Sequence, residues 1–156
     1  MPRKLPLLAA MALTLLGFLL MVGFENAGAE VRSSQLQLQF AWTAEQARAV
    51  LEHWGDTGSA RVSYGLYADF LFLIGYTALL LQLLRAWRQP RWLVWAALLA
   101  GGLDVLENVF ILGFIQDLID LRFAFLVSLM ATLKFSLIFV ALFHLIGHYA
   151  RRGERA

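Results

Sequence analysis

The sequence contains no cysteine among its 156 residues. Disulfide bonds, thiolate metal sites, thiol redox chemistry and cysteine nucleophiles are therefore excluded. There is also no G-x-S-x-G nucleophile motif, no phosphate-binding loop, no HExxH zinc motif and no dinucleotide fingerprint. His144 and His148 have the spacing of a two-histidine metal site, but no nearby acid completes a ligand set. We therefore predict no metal site and no cofactor, and no motif names a reaction.

Charged residues are scarce, since only 15% of the chain is charged while 60% is hydrophobic. Soluble domains carry about 25% charged residues, so the composition favours an integral membrane protein. A helix needs about 20 apolar residues to cross a bilayer. Four segments qualify, at residues 5–24, 64–84, 92–115 and 123–146. We predict a single membrane domain, an all-α bundle of four transmembrane helices, followed by a cytoplasmic tail at 147–156.

Residues 25–63 lie outside the predicted spans and have a pattern of their own. Polar and apolar residues alternate from Gln35 to Phe40, which predicts a short strand. An amphipathic helix is expected next, with Thr43 as its N-cap and Gly55 at its C-terminal end. We predict that strand and helix form a small extracytoplasmic cap on the membrane surface or over the bundle. This cap is also the expected contact for a partner in a membrane complex.

The basic residues are distributed unequally between the two sides of the predicted bundle. Eight of the thirteen Lys and Arg residues lie in the N-terminus, the linker between the second and third spans, and the C-terminal tail. Only four lie on the other side. The positive-inside rule then places both termini in the cytoplasm and residues 25–63 outside. Since membrane topology accounts for the basic residues, we predict a multi-pass protein of the bacterial inner membrane and no nucleic-acid partner.

The first span has a second interpretation. Ala27, Gly28 and Ala29 match the A-x-A pattern of a signal-peptide cleavage site, and a basic start before an apolar run is typical of secretory signals. The uncharged run of about 20 residues is longer than the usual 7–15 of a signal peptide, which favours a retained helix. Cleavage would leave three spans with the same orientation.

The third predicted span carries polar residues at its centre, in the stretch GGLDVLENVF at 101–110. Ionisable residues at membrane depth are unfavourable, and they usually face a bundle interior or a water-filled cavity. Gly101, Asp104 and Asn108 follow one another at intervals of three and four residues, so they share one stripe of the helix, with Glu107 beside it. A small residue on this stripe permits close approach of another helix. The stripe is therefore predicted to point inward.

Two neighbouring spans bring charged residues to similar depths. Counted from the predicted outer end at about 1.5 Å per residue, Asp104 and Lys134 lie about 16 Å deep, Glu107 about 12 Å and Asp69 about 8 Å. We predict one polar pocket in the outer half of the bundle, open toward the outer leaflet or periplasm, in which Lys134 pairs with Asp104. Three carboxylates and one ammonium would together carry −2. We therefore expect at least one of Asp104 and Glu107 to hold a proton near neutral pH.

The predicted function of this pocket is to bind a membrane lipid or another small ligand. The predicted ligand-binding residues are Asp69, Tyr76, Gly101 and Asn108. Whether the protein is an enzyme stays open; if it is, Asp104 or Glu107 is the candidate general acid or base. Lys134 would then stabilise developing negative charge.

The sequence leaves three alternatives to ligand binding open. The charged residues could form an internal hydrogen-bonded network that only fixes the register of the helices. A small proton-coupled transporter could use the same carboxylates as a relay, with a homo-oligomer supplying the other half of the path. The protein could also be a non-catalytic accessory subunit that contacts its complex through the cap.

Several segments together suggest a family relationship. The stretches TAEQARAVLEHWG, YGLYADFLFLIGY and LDVLEN, followed by a lysine in the middle of the last span, resemble a family of small, uncharacterised bacterial integral membrane proteins with four spans. The similarity covers most of the chain after the first span. It implies membrane placement and adds no activity.

Overall fold

The computed structural model describes residues 5–26 and 35–153, so the A-x-A pattern at 27–29 lies outside it. All regular elements in the described residues are helical, which confirms the all-α prediction. They are α1 (Leu5–Asn26), α2 (Gln35–Gln39), α3 (Ala44–Ala86), α4 (Arg91–Ile115) and α5 (Ala124–Gly153), with a short 3₁₀ helix at Leu121–Phe123 before α5. Among them, α1, α3, α4 and α5 are long and apolar enough to cross a membrane, which indicates an integral membrane protein.

The four long helices pack in the order α1, α3, α4, α5. The turn between α3 and α4 lies at one end of the bundle, here called the hairpin end. Helix α2 lies at the other end, here called the cap end, where it contacts α3, α4 and α5. Helix α1 packs mainly on α3 and α5 packs mainly on α4, which leaves a gap between α1 and α5 that residues of both helices line.

Helix α3 contains 43 residues and one break, at Gly55. The predicted N-cap is confirmed, because the Thr43 hydroxyl accepts a hydrogen bond from the Gln46 N–H at 3.2 Å. Gly55 has a φ of +56°, in the left-handed region that favours glycine, so the helix changes direction there. Helical geometry then resumes at once. The amphipathic segment of the cap therefore continues into the membrane-crossing part of α3 without a loop.

The predicted strand at Gln35–Phe40 is wrong, because residues 35–39 form a single helical turn. An isolated strand leaves its backbone N–H and C=O groups without partners, and the described residues contain no other strand to pair with. A helical turn satisfies part of these groups internally. It also brings Gln35 and Gln39 to one side, where both side chains are buried with Leu38. The regular structure of the cap in its described part is therefore helical, with a short connection at residues 40–43 between α2 and α3.

Two apolar clusters occupy the two ends of the bundle. The cap-end cluster includes Leu38, Trp54, Val62, Leu66, Ile111, Phe114 and Val127. The hairpin-end cluster consists of Leu80, Leu84, Leu93, Ala97, Ala141 and Leu145, together with partly buried neighbours. Lipid tails are as apolar as these side chains, so close packing rather than removal from water holds membrane helices together.

The contact between α1 and α3 shows this close packing most clearly. A Cβ atom on Gly17 would lie 2.4 Å from the backbone nitrogen of Phe72, and one on Gly75 would lie 2.5 Å from the backbone nitrogen of Thr14. Each helix therefore uses a glycine to approach the backbone of the other. Near the hairpin end, the Gln82 amide donates a hydrogen bond to the Pro6 carbonyl at 3.2 Å. Helix α1 is thus a packed member of the bundle.

Candidate functional site

A layer of buried polar side chains crosses the middle of the bundle and reaches the cap end. Its members are Gln35, Gln39, Asp69, Asp104, Glu107, Asn108, Ser128 and Lys134, each at most 5% exposed. They come from α2, α3, α4 and α5. The structure therefore brings together the four charged residues whose depths were matched along the sequence, and adds two glutamines from α2.

Lys134 on α5 lies between two carboxylates of α4. Its Nζ donates a hydrogen bond to Asp104 Oδ1 and another to Glu107 Oε1, the latter at 3.0 Å. Asp104 and Glu107 are three residues apart on α4, so both side chains lie on one face of that helix. One ammonium group can thus reach both. The predicted pairing of Lys134 with Asp104 is confirmed.

Helix α3 completes the charged group from the opposite side. The Tyr76 hydroxyl donates a hydrogen bond to Asp104 Oδ2 at 2.8 Å, so both oxygens of Asp104 are bonded. Asp69 Oδ2 accepts a hydrogen bond from the Asn108 amide at 2.7 Å. Because Asp69 and Tyr76 are two helical turns apart, both lie on the side of α3 that faces α4. The polar layer therefore links three of the long helices.

The layer retains hydrogen-bonding capacity that the described residues do not use. Glu107 Oε2, Asn108 Oδ1 and Ser128 Oγ are buried and have no hydrogen-bond partner among the described residues. An unsatisfied buried polar atom costs about 1–3 kcal/mol, so structures usually provide such atoms with partners. A layer built only to fix helix register needs no such spare capacity.

A cavity of about 560 Å³ lies beside the polar layer, in the gap between α1 and α5. This volume is in the range of about 300–1,000 Å³ that is typical of small-molecule sites. The polar residues that line it are Gln35, Gln39, Asp69, Tyr76, Asp104 and Lys134. Its apolar lining includes Phe18, Leu80, Leu83, Ile138, Phe139 and Leu142. Along α3, the lining runs from Asp69 to Leu83, about 21 Å at 1.5 Å per residue.

The residues predicted for the site fall into two sets. Asp69, Tyr76, Asp104 and Lys134 line the cavity. Glu107 and Asn108 are fully buried behind the cavity wall. Glu107 is hydrogen-bonded to Lys134, and Asn108 to Asp69, both of which line the cavity. Gly101 lies at the contact between α3 and α4, where a Cβ atom would come within 2.8 Å of Thr77 Oγ1. Of the two candidate acid–base residues, Asp104 is therefore the one that faces the cavity.

Sequence reasoning missed the contribution of α2. The segment Gln35–Phe40 was predicted as a strand, which would direct its glutamines away from its leucines. In the structure Gln35 and Gln39 line the cavity together, and Gln39 Oε1 is buried without a partner among the described residues. Their i, i+4 spacing was the signal that favours one helical face. It is a weak signal in a segment of five residues.

The two histidines that have metal-site spacing lie at the hairpin end, away from the polar layer. The ring of His144 packs edge-on against Trp92 at 5.3 Å between centres, and that of His148 stacks on Trp87 at 6.1 Å. In the described part of the chain, no group of three or more His, Asp or Glu side chains has a geometry that could hold a metal ion.

The arrangement provides donors, acceptors and a charged pair at one end of an elongated cavity and apolar side chains along the rest of it. Asp104 and Lys134 can exchange protons or hydrogen bonds with a ligand that reaches the polar end, because both line the cavity. No protein-family model, curated protein or solved structure matches the chain. The chemistry of this cavity is therefore the basis for inferring function.

Proposed function

We propose that the protein binds a membrane amphiphile, whose polar head group lies at Asp69, Asp104 and Lys134 and whose apolar chain lies along the lining residues of α3 and α5 toward the hairpin end. The observation that carries this proposal is the segregation of one cavity into a polar end and a long apolar wall. Such a cavity is complementary to a molecule that is itself divided into a head group and a chain.

The order of the lining residues along the helices supports this division of the cavity into a polar end and an apolar wall. On α3 the polar residues Asp69 and Tyr76 come first, and the lining then continues to Leu83 with apolar residues only. On α5 the charged residue Lys134 is likewise at the cap end, and the lining continues toward the hairpin end as far as Leu142. Because the two helices run in the same direction, both place their polar residues at the same end of the cavity.

The cavity is open on the side of the gap between α1 and α5. Phe18 on α1 and Phe139 on α5 both line it, yet they are 45% and 68% exposed. In a membrane this side faces lipid, since both helices are of spanning length. An amphiphile can therefore enter laterally from the bilayer, without passing through water.

The distribution of basic residues supports an orientation for this site. Eight Lys and Arg residues belong to the sequence segments 1–4, 85–91 and 151–156, against four in the segments 25–63 and 116–122. By the positive-inside rule we propose that the termini lie in the cytoplasm of a bacterium and that the cap end lies outside its inner membrane. The head-group end of the cavity then lies in the outer leaflet.

Filling the apolar wall should prevent ligand binding. Ile138→Trp adds bulk to a side chain that lines the cavity, so we expect the amphiphile that copurifies with the protein to decrease at least about ten-fold, which corresponds to about 1.4 kcal/mol. The measurement is quantitative mass spectrometry of lipids extracted from protein purified in a mild detergent.

Val140→Trp is the matched control for this experiment. Val140 lies on the same helix two residues away, is 42% exposed and does not line the cavity. It should retain the copurified amphiphile at the parent level. Equal lipid content in the parent, Ile138→Trp and Val140→Trp proteins would show that the cavity does not hold the lipid.

The natural absence of cysteine allows a direct test of orientation. Gln116→Cys lies at the cap end and Ala86→Cys at the hairpin end, and both positions are exposed. We expect a membrane-impermeant maleimide to label Gln116→Cys in spheroplasts, and Ala86→Cys only after the membrane is disrupted. Labelling of both after disruption is the control for reactivity, and the reverse pattern in spheroplasts would contradict the proposed orientation.

A further inference from the structure

The sequence around the hairpin end of the bundle holds a large excess of positive charge. The segments 1–4, 85–91 and 151–156 contain eight Lys and Arg residues and one acidic residue, Glu154. Residues 70–103 and 121–153, which include the turn between α3 and α4 and the whole of α5, contain no Asp or Glu. Along α4, the acid nearest to Arg91 is Asp104, about 20 Å away at 1.5 Å per residue. A guanidinium group is always charged in proteins, so this excess does not depend on protonation.

Three arginines lie in or beside the turn that joins α3 to α4. Arg85 belongs to the last turn of α3, Arg88 follows that helix, and Arg91 begins α4. All three are exposed. Seven residues of chain therefore present three guanidinium groups at the end of two spanning helices.

Aromatic contacts fix this turn against the end of α5. Trp87 stacks on His148 with 6.1 Å between ring centres, and Trp92 meets His144 edge-on at 5.3 Å. Trp92 and Trp95 are nevertheless 51% and 70% exposed. Exposed tryptophans at the end of a spanning helix are typical of the membrane–water interface, where phospholipid head groups lie. The arginines of the turn are thus held at the depth of the head groups.

Arg88 has a backbone conformation that favours glycine. Helix α3 ends in a Schellman motif, in which the Gln89 N–H donates to the Leu84 carbonyl at 2.9 Å and the Arg88 N–H to the Arg85 carbonyl at 3.1 Å. The residue after the C-cap of this motif is left-handed, and Arg88 has a φ of +51°. Glycine is usual there because a Cβ atom disfavours the conformation. The turn itself therefore does not explain an arginine at this position, whereas a role for its side chain does.

Membrane topology accounts for the number of basic residues at this end but not for their placement. The positive-inside rule is satisfied by Lys or Arg at any position in a short loop. It explains neither an arginine where the backbone favours glycine nor the aromatic contacts that fix the turn. A bound phosphate explains both, because guanidinium groups donate pairs of parallel hydrogen bonds to phosphate oxygens and gain from being held in place.

We infer that the turn between α3 and α4 binds the phosphate of an anionic phospholipid through Arg88 and Arg91, while Arg85 adds positive charge beside them. The chains of this lipid lie in the bilayer next to the exposed rings of Trp92 and Trp95. This lipid site is separate from the cavity, since none of these five residues lines the cavity. It does not rest on the proposed amphiphile binding or on the proposed orientation, so its failure would leave both standing.

Quenching by brominated lipids measures which phospholipid lies beside these tryptophans. The full chain carrying Trp42→Phe is placed in vesicles of phosphatidylcholine and phosphatidylglycerol, with bromine on the chains of one lipid or the other. The substitution removes the exposed tryptophan of the cap end, so Trp92 and Trp95 are the exposed tryptophans that remain. We expect phosphatidylglycerol to associate at least about five-fold more strongly than phosphatidylcholine, which is about the contribution of one basic residue at a membrane surface. Equal association of the two lipids would overturn the inference.

Arg88→Gln combined with Arg91→Gln links the preference to the turn. This double variant should lose most of the preference for phosphatidylglycerol. Arg48→Gln combined with Arg122→Gln is the matched control, because it removes two exposed arginines from the cap end and should keep the parent preference. The inference is wrong if the hairpin variant keeps the preference, or if both double variants lose it equally.

Arg88→Gly separates the role of the side chain from the stability of the turn. Glycine suits the left-handed conformation, so Tm in an uncharged detergent should equal or exceed that of the parent. The preference for phosphatidylglycerol should fall in the same variant, and these opposite directions exclude unfolding as the cause. A lower Tm would show that Arg88 serves the turn rather than a lipid. An unchanged preference would remove Arg88 from the site.

Discussion

Lys134→Met is expected to destabilise the protein by about 3–5 kcal/mol, the range observed when one partner of a buried ion pair is removed. Lys134 is buried and donates hydrogen bonds to Asp104 and Glu107, both on the neighbouring helix α4. Methionine fills much of the same space but leaves two buried carboxylates without their donor. The measurement is thermal unfolding in a mild detergent, monitored by circular dichroism. A marked fall in Tm is the expected result.

Three further variants separate loss of charge pairing from other effects. Arg85→Met removes an exposed cation at the hairpin end and should change stability by no more than about 0.5 kcal/mol. Lys134→Arg keeps the charge but changes its geometry, so we expect a smaller loss than with methionine. Combining Lys134→Met with Asp104→Asn and Glu107→Gln removes the charge of the lysine and of both its carboxylate partners. This triple variant should recover most of the stability lost in Lys134→Met.

The triple variant also separates folding from ligand binding. It should fold but retain less copurified amphiphile than the parent, because Asp104 and Lys134, two of the groups proposed to hold the head group, are lost from the cavity wall. If Lys134→Met alone costs no more than about 1 kcal/mol, the contact is no stronger than a surface salt bridge, and Lys134 does not hold α4 and α5 together.

The helices and the depth of the polar residues were predictable because both follow from fixed distances. A run of about 20 apolar residues specifies a span, and the rise of 1.5 Å per residue specifies how deep a side chain lies in it. Asp104 and Lys134 were matched in this way, and the structure shows their contact. Which face of each helix meets which neighbour does not follow from depth. For this reason the sequence did not separate Asp104, on the cavity wall, from Glu107 behind it.

The strand prediction failed because a short segment can fit both the two-residue period of a strand and the 3.6-residue period of a helix. Gln35–Phe40 alternates like a strand, yet its two glutamines are also spaced by one helical turn. Tertiary structure decides between the two, since the described residues provide no second strand and the cap end buries both glutamines together with Leu38. The cavity was not predictable either. It depends on which helix α1 packs against, and nothing in the sequence distinguishes Gly17 and Gly75 from the other ten glycines.

Gly75→Val is expected to separate α1 from α3 and to abolish amphiphile binding. A Cβ atom at Gly75 would lie 2.5 Å from the Thr14 backbone nitrogen, and a backbone cannot move aside as the end of a flexible side chain can. Since α1 supplies Phe18 and Met21 to the cavity lining, its displacement removes one wall of the cavity. We expect at least a ten-fold loss of copurified amphiphile, about 1.4 kcal/mol, measured by mass spectrometry.

The position of α1 is read out independently by cross-linking. Pro6 and Gln82 are joined by a hydrogen bond at the hairpin end, so cysteines at these two positions of the cysteine-free chain should react with a short bifunctional maleimide. Gly75→Val should abolish the product, whereas Gly23→Val should not, because a Cβ atom at Gly23 meets no atom within 4 Å. A cross-linked product in Gly75→Val would contradict the packing. The cross-link can form in the double-cysteine protein that keeps Gly75 only if α1 remains in the mature protein. The same experiment therefore decides between a retained helix and a cleaved signal peptide.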